Sequence, residues 1–144
     1  DQGRTVYRKK LERLVQQFNL TQKIKFVDNC RDMHLAYHIS DVIVSSSIEP
    51  EAFGRVSVEA QAMKKPIIAS NIGGSKETVI DNKTGLLFDS GNPKSLCDKL
   101  DEIIKLDSLT LDLMGREGRK NVINRFNIDK MCLNTYSEYK KLIN

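Results

Sequence analysis

The sequence predicts an α/β domain, a mostly parallel sheet flanked by helices. Three observations carry this. Short, continuous apolar runs at Val42-Ile43-Val44, Ile67-Ile68-Ala69 and Leu86-Leu87-Phe88 have the character of strands covered on both faces. Segments with apolar residues at helical spacing alternate with them and then continue to the end of the chain. No internal repeat, low-complexity tract or linker divides the sequence, so the alternation describes one unit of sheet and helices.

The elements follow in order. Leu11, Leu14, Val15 and Phe18 repeat at i, i+3, i+4, i+7 and predict a helix over about 5–19. Ile24 to Val27 is a short β-prone run. A short helix around 32–39 leads to the first apolar strand, which Ser45-Ser46-Ser47 closes. A polar, proline-containing loop follows, and a helix is expected from Phe53–Gly54 to about Lys64. The strand at 67–69 runs into the Gly73-Gly74 turn and a short helix at about 75–80. Asp81 to Gly85 is a turn before the third strand. Pro93 is placed to open a helix whose apolar face is Leu96, Leu100, Ile103 and Ile104. Two more helices are expected at about 108–123 and 129–143. A sheet of this kind ordinarily opens on a strand, whereas this chain opens on a turn and a helix. The first strand is therefore expected to lie outside these residues.

Composition narrows the function classes. With 144 residues, 40% of them hydrophobic and 29% charged, the chain suits a soluble domain with its own core. Its apolar runs are too short to span a membrane, and no apolar leader segment follows Asp1. Cys30, Cys97 and Cys132 are an odd number without a CxxC pair, which fits a reducing compartment. His34 and His38 lie four apart, but no further ligands at suitable spacing complete a metal site, so none is expected. The net charge of +4 suits anionic ligands. Arg4, Arg8, Lys9, Lys10 and Arg13 read as a solvated helix face more readily than as a phosphate or lipid-headgroup patch. Nucleic acid is not expected, because no aromatic platform interleaves with these charges.

The chemistry concentrates after the first apolar strand. Ligands of open α/β sheets sit at the carboxyl ends of strands, beside helix N-termini. Glu49-Pro50-Glu51-Ala52-Phe53-Gly54-Arg55 occupies such a place. Gly54 permits close backbone approach, and the first-turn N–H groups of the next helix can hold a phosphate. Glu51 precedes that helix and Glu59 lies about one turn into it, so both can border one ligand. An ionised carboxylate accepts two O–H bonds and thereby suits vicinal sugar hydroxyls. The bland alternative makes Glu51 a helix-end charge and Glu59 a surface residue. Gly73-Gly74 reads equally as an anion-binding nest or as a simple turn, with Ser75 a candidate N-cap. No Walker A sequence, dinucleotide fingerprint, nucleophile elbow or hydrolase triad is present.

The stretch from Ser45 through Glu51, Phe53-Gly54-Arg55 and Glu59-Ala60 resembles the E-x7-E signature of the retaining GT-B-fold glycosyltransferases grouped as family four. The order continues through Pro66-Ile67-Ile68-Ala69, Gly73-Gly74, Glu77 and Asp81 to Gly85, about 40 residues in all. The resemblance implies a Rossmann-like half of a GT-B fold over 1–144: the C-terminal, nucleotide-sugar-binding domain of a two-domain protein. It implies that Glu59 binds the nucleotide ribose and that Glu51 acts beside the donor sugar. Phe53, Gly54 and Arg55 would face the sugar or diphosphate, with Gly73 and Gly74 close by. Glu77 would be structural, and Asp28 and Asn29 would lie near the base.

The implied reaction transfers a sugar from a nucleoside diphosphate sugar with retention, usually without metal. The acceptor would be a glycan or lipid-linked saccharide of envelope biosynthesis, lipopolysaccharide among the candidates. The acceptor-binding N-terminal domain, the first strand and the basic residues that neutralise the diphosphate would precede Asp1. A cytoplasmic location is implied, and peripheral contact of the full-length protein with the inner face of the membrane is compatible with it. Where relatives commonly have glycine before the proline, this chain has Lys65. The competing readings are a GT-B phosphorylase, a nucleotide-sugar hydrolase or epimerase, and a non-enzymatic nucleotide-sugar-binding module. The sequence leaves the sugar, base and acceptor open.

Overall fold

In the computed structural model, which describes residues 4–143, the chain divides after Arg31 into two units. The first is built on helix α1 (Arg4–Gln17). That helix ends in a left-handed turn: Asn19 has φ 55°, and the N–H groups of Asn19 and Leu20 donate to the carbonyls of Gln16 and Val15 at 3.0 and 2.8 Å. Asparagine tolerates this conformation better than most residues. Leu11, Val15 and Phe18 line an apolar groove with Ile24 and Phe26. Of the basic stretch, Arg8, Lys9, Lys10 and Arg13 are exposed, and Arg8 bonds both Glu12 and Asp28. Ile24 to Val27 joins no sheet ladder among the described residues, because a β-prone run becomes a strand only when a neighbour supplies hydrogen bonds.

The second unit contains α2 (Met33–Ile39), β1 (Ile43–Ser45), α3 (Arg55–Ala62), β2 (Ile67–Ser70), α4 (Ser75–Thr78) and β3 (Gly85–Phe88). Helices α5 (Pro93–Ile104), α6 (Ser108–Arg125) and α7 (Ile128–Ile143) follow. The strands form a parallel sheet in the order β1-β2-β3. This is the α/β arrangement expected from the sequence. β2 is central and all four of its residues are buried, which explains its unbroken apolar run.

Its side chains alternate between two cores. Ile67 and Ala69 pack with Tyr37, Ala60 and Val79 on one face. Ile68 packs with Leu86, Phe88, Ile103 and Met114 on the other. Burying one such isoleucine contributes roughly 1.5–3 kcal/mol. Helix α5 starts as its sequence suggests, with Pro93 in its first turn and the Asn92 side chain accepting from the N–H groups of Lys94 and Ser95, each at 3.1 Å.

Helix α3 is fixed from below and behind. It closes through a left-handed residue, Lys64 (φ 58°), with Lys64 N–H donating to Gln61 and Lys65 N–H to Ala60. The position that favours glycine is thus Lys64, one residue earlier than the Lys65 singled out in the sequence. Helix α6 crosses α3 so closely that a Cβ on Gly115 would lie 2.1 Å from the Lys64 carbonyl oxygen. The two buried amides at this crossing, Gln61 and Asn121, find partners, while the buried Ser57 hydroxyl has none. Gln61 Nε2 donates to the Ser57 and Thr78 carbonyls, while Asn121 Nδ2 donates to Gln61 Oε1 and the Thr78 carbonyl. An unmatched amide there would cost about 1–3 kcal/mol. Helix α7 differs from all this, as none of its side chains is buried.

Candidate functional site

The loops that leave the three strands meet at the carboxyl edge of the sheet. Asn71 N–H donates to the Phe88 carbonyl at 2.7 Å, joining the loop after β2 to the end of β3. Gly74 N–H donates to the Glu51 carbonyl at 2.8 Å, and Ser90 Oγ donates to the Ser47 carbonyl at 3.2 Å. The loop carrying Glu51 is therefore held by both of its neighbours.

Gly73 and Gly74 are the means of that attachment. A Cβ on Gly73, whose φ is 53°, would lie 2.6 Å from the Glu51 carbonyl oxygen; one on Gly74 would lie 2.4 Å from the Phe53 carbonyl carbon. Both contacts are with backbone, which has little room to give way. The pair thus seats the 50–53 backbone, beyond making a turn. Ser75, a candidate N-cap, is instead the first residue of α4, and Gly74 holds the cap position.

Glu51 and Glu59 are both half-buried. Ser47 Oγ donates to Glu51 Oε1 from four residues earlier in the same loop. Glu59 sits in the second turn of α3 and is held from two directions. Tyr37 Oη donates to its Oε2 at 2.8 Å, and Arg55 Nη2 pairs with its Oε1 at 3.3 Å. Burial, reinforced by the bond to Glu59, pushes the Tyr37 hydroxyl up to about 12, so it remains a donor at neutral pH. Between the two carboxylates, Gly54 (φ 74°) opens α3, and no side chain caps the helix start. Ser57 N–H already donates to the Gly54 carbonyl at 3.1 Å, so the groups left for an anionic ligand are the earlier N–H groups of Arg55 and Val56.

The other candidates are placed differently. Arg55 has a side chain 84% exposed, so its pairing with Glu59 is weakly held. Phe53 stacks edge-on against Phe126 at 5.6 Å and borders an apolar cavity of about 630 Å³ with Arg125 and Met131. Neither Glu51 nor Glu59 lines that cavity. Asp28 and Asn29 are exposed residues of the first unit, where Asp28 accepts from Arg8. Glu77 is exposed in the first turn of α4. Among the described residues no group of three or more His, Cys, Asp or Glu side chains could hold a metal ion.

Sequence reasoning missed Tyr37 and Ser47. An aromatic residue on the inner face of α2 reads as core, yet a buried phenol needs a polar partner, and this was the available signal. For Ser47 the signal was its spacing of four from Glu51.

Comparison with known proteins identifies the family. The family described as glycosyl transferases group 1 matches residues 3–121. The capsular polysaccharide biosynthesis glycosyltransferase CapM of Staphylococcus aureus is 40% identical over 76 residues, 53% of this chain and 20% of that protein. A glycosyltransferase structure from Rickettsia africae ESF-5 superposes with a TM-score of 0.89 at 36% identity, over 97% of this chain and 37% of that one. The C-terminal domain of a glycosyl transferase group 1 family protein (LpcC) from Francisella tularensis gives a TM-score of 0.72 at 29% identity, over 85% of this chain and 63% of that one. The chain spans only 20–29% of the length of the first three curated relatives it matches. With a family match over residues 3–121, this chain belongs to the glycosyl transferases group 1 family.

Proposed function

We propose that residues 1–144 form the C-terminal, donor-binding domain of a retaining glycosyltransferase that uses a nucleoside diphosphate sugar. The observation that carries this reading is the arrangement at the carboxyl edge of the sheet. Two carboxylates, each oriented by a hydroxyl, flank an uncapped helix start. A nucleoside diphosphate sugar has complementary parts: a ribose diol, a diphosphate and a sugar with further hydroxyls. On this reading Glu59 accepts from the ribose, the start of α3 with Gly54 and Arg55 faces the diphosphate, and Glu51 contacts the transferred sugar. Gly73 and Gly74 hold the loop in register, and Phe53 contributes backbone to the cleft.

The acceptor hydroxyl would approach the anomeric carbon on the face from which the diphosphate leaves. Glu51 then orients and stabilises without forming a covalent bond, and stabilising the leaving diphosphate is the main electrostatic task. The solved C-terminal domain among the structural relatives supports the placement of this chain within a longer protein. The acceptor domain would precede it. A glycan or lipid-linked acceptor, handled in the cytoplasm or at the inner face of the membrane, fits the capsular-polysaccharide relative. Among the described residues no helix is long and apolar enough to cross a membrane.

Titrating the full-length protein with UDP-, GDP- and ADP-sugars, with mass-spectrometric identification of products, tests this. One class should bind, and Glu59→Ala should weaken it by about 10- to 100-fold through loss of charge-assisted bonds. A folded full-length protein that binds none of them sinks the reading.

A further inference from the structure

We propose that Tyr37 is a positioning residue for Glu59, fixing its carboxylate so that the site selects ribose over 2′-deoxyribose. This rests on the reading of Glu59 as the ribose-binding carboxylate. The Tyr37 ring is 4% exposed and packs with Ala60, Ile67, Ala69 and Val79, so its position is set by the core. Its hydroxyl reaches out of that core to Glu59 Oε2 at 2.8 Å. Arg55 approaches the other oxygen, Oε1, but at 3.3 Å and from a largely exposed side chain. Tyr37 is therefore the firm anchor and Arg55 the loose one.

The geometry also determines what Glu59 can still accept. An ionised carboxylate offers about four acceptor positions, two on each oxygen. Tyr37 takes one on Oε2 and Arg55 one on Oε1, leaving one free on each oxygen. Two adjacent acceptors match two vicinal hydroxyls. Without the phenol, a glutamate whose side chain is 40% exposed can rotate about its own torsions, and the paired acceptors lose their fixed direction. A ligand that needs only one of them is affected least.

The experiment uses the full-length protein, calorimetry, and UDP, GDP and ADP, each compared with its 2′-deoxyribose counterpart. Tyr37→Phe keeps the ring that packs in the core and removes only the hydroxyl. It should weaken the ribonucleotide by about three- to tenfold and leave the 2′-deoxy ligand within about twofold. In a Glu59→Gln background the same change should have no further effect on the ratio. Equal weakening of both ligands, no change in either, or an effect that persists in the Glu59→Gln background overturns the proposal. If Glu59→Gln itself leaves the ribose-to-deoxyribose ratio unchanged, the ribose assignment falls and this proposal falls with it. Failure of Tyr37→Phe alone removes only the positioning role.

Discussion

Glu51 and Glu59 are mounted in opposite ways. Glu51 belongs to a loop, accepts from Ser47 in that same loop, and depends on the backbone of Gly73 and Gly74 for its place. Glu59 belongs to a helix and accepts from Tyr37, 22 residues earlier, whose ring alone of its helix is buried in the core. The loop mount is local and rests on backbone contacts; the helix mount is long-range and rests on side-chain packing. Damage to one should therefore leave the other standing. On the proposed function, the consequences for donor binding and for sugar transfer should separate along the same line.

The largest separation is expected from Gly74→Ala. Its φ of −61° suits any residue, so the effect is one of space alone. The new Cβ would lie 2.4–2.6 Å from the Phe53 backbone, and the two loops must move apart. Overpacking of this kind costs about 1–3 kcal/mol, seen as a lower Tm. A displaced Glu51 should lower kcat about 100-fold, since a shift near 1 Å has that reach. Nucleoside diphosphate affinity should change much less. Equal loss of both would show that the two mounts are one.

A smaller and cleaner test is Ser47→Ala, which removes the hydroxyl that orients Glu51 and leaves the backbone contacts intact. A drop in kcat of about three- to tenfold is expected, with nucleotide affinity unchanged. This is the reverse of the pattern given for Tyr37→Phe. If Ser47→Ala weakens nucleotide binding instead, the assignment of the two carboxylates to different parts of the donor is wrong.

The smallest expected effect is one of pH. The Tyr37 hydroxyl is raised from 10.0 to about 12, so the folded state holds this proton more tightly than the unfolded chain does. Its contribution to stability is complete below pH 10 and is lost as pH rises from 10 to about 12. Thermal melts across this window should show an alkaline loss that Tyr37→Phe reduces. An identical alkaline profile in the variant would mean that the phenol is not coupled to folding in this way.

Most of the fold was legible because its signals are short-range. The runs at 42–44, 67–69 and 86–88 mark the three strands to within a residue or two, and Pro93 marks the start of α5. Ile24 to Val27 shows the limit, since strand formation requires a partner that local sequence does not specify. The candidate site was legible in its charges but not in its supports. Glu51 and Glu59 stood out by spacing, whereas the bond from Tyr37 joins elements brought together only by the packing of α2 and α3 on one face of the sheet. The glycine pair was visible, but its purpose was not: whether it faces a ligand or another loop depends on which backbone lies opposite.

The close crossing of α6 over the end of α3 bears on how such a site could be re-engineered. Gly115 sits against the carbonyl of Lys64, and Lys64 already occupies a left-handed position that a lysine adopts at some cost. This joint is a keystone: it tolerates little enlargement, and the helix bearing Glu59 is anchored beside it. Libraries that seek a new donor preference should hold residues 64 and 115 constant. Diversity is better placed at an exposed position such as Arg55, whose side chain is 84% exposed and can change without shifting the frame beneath it.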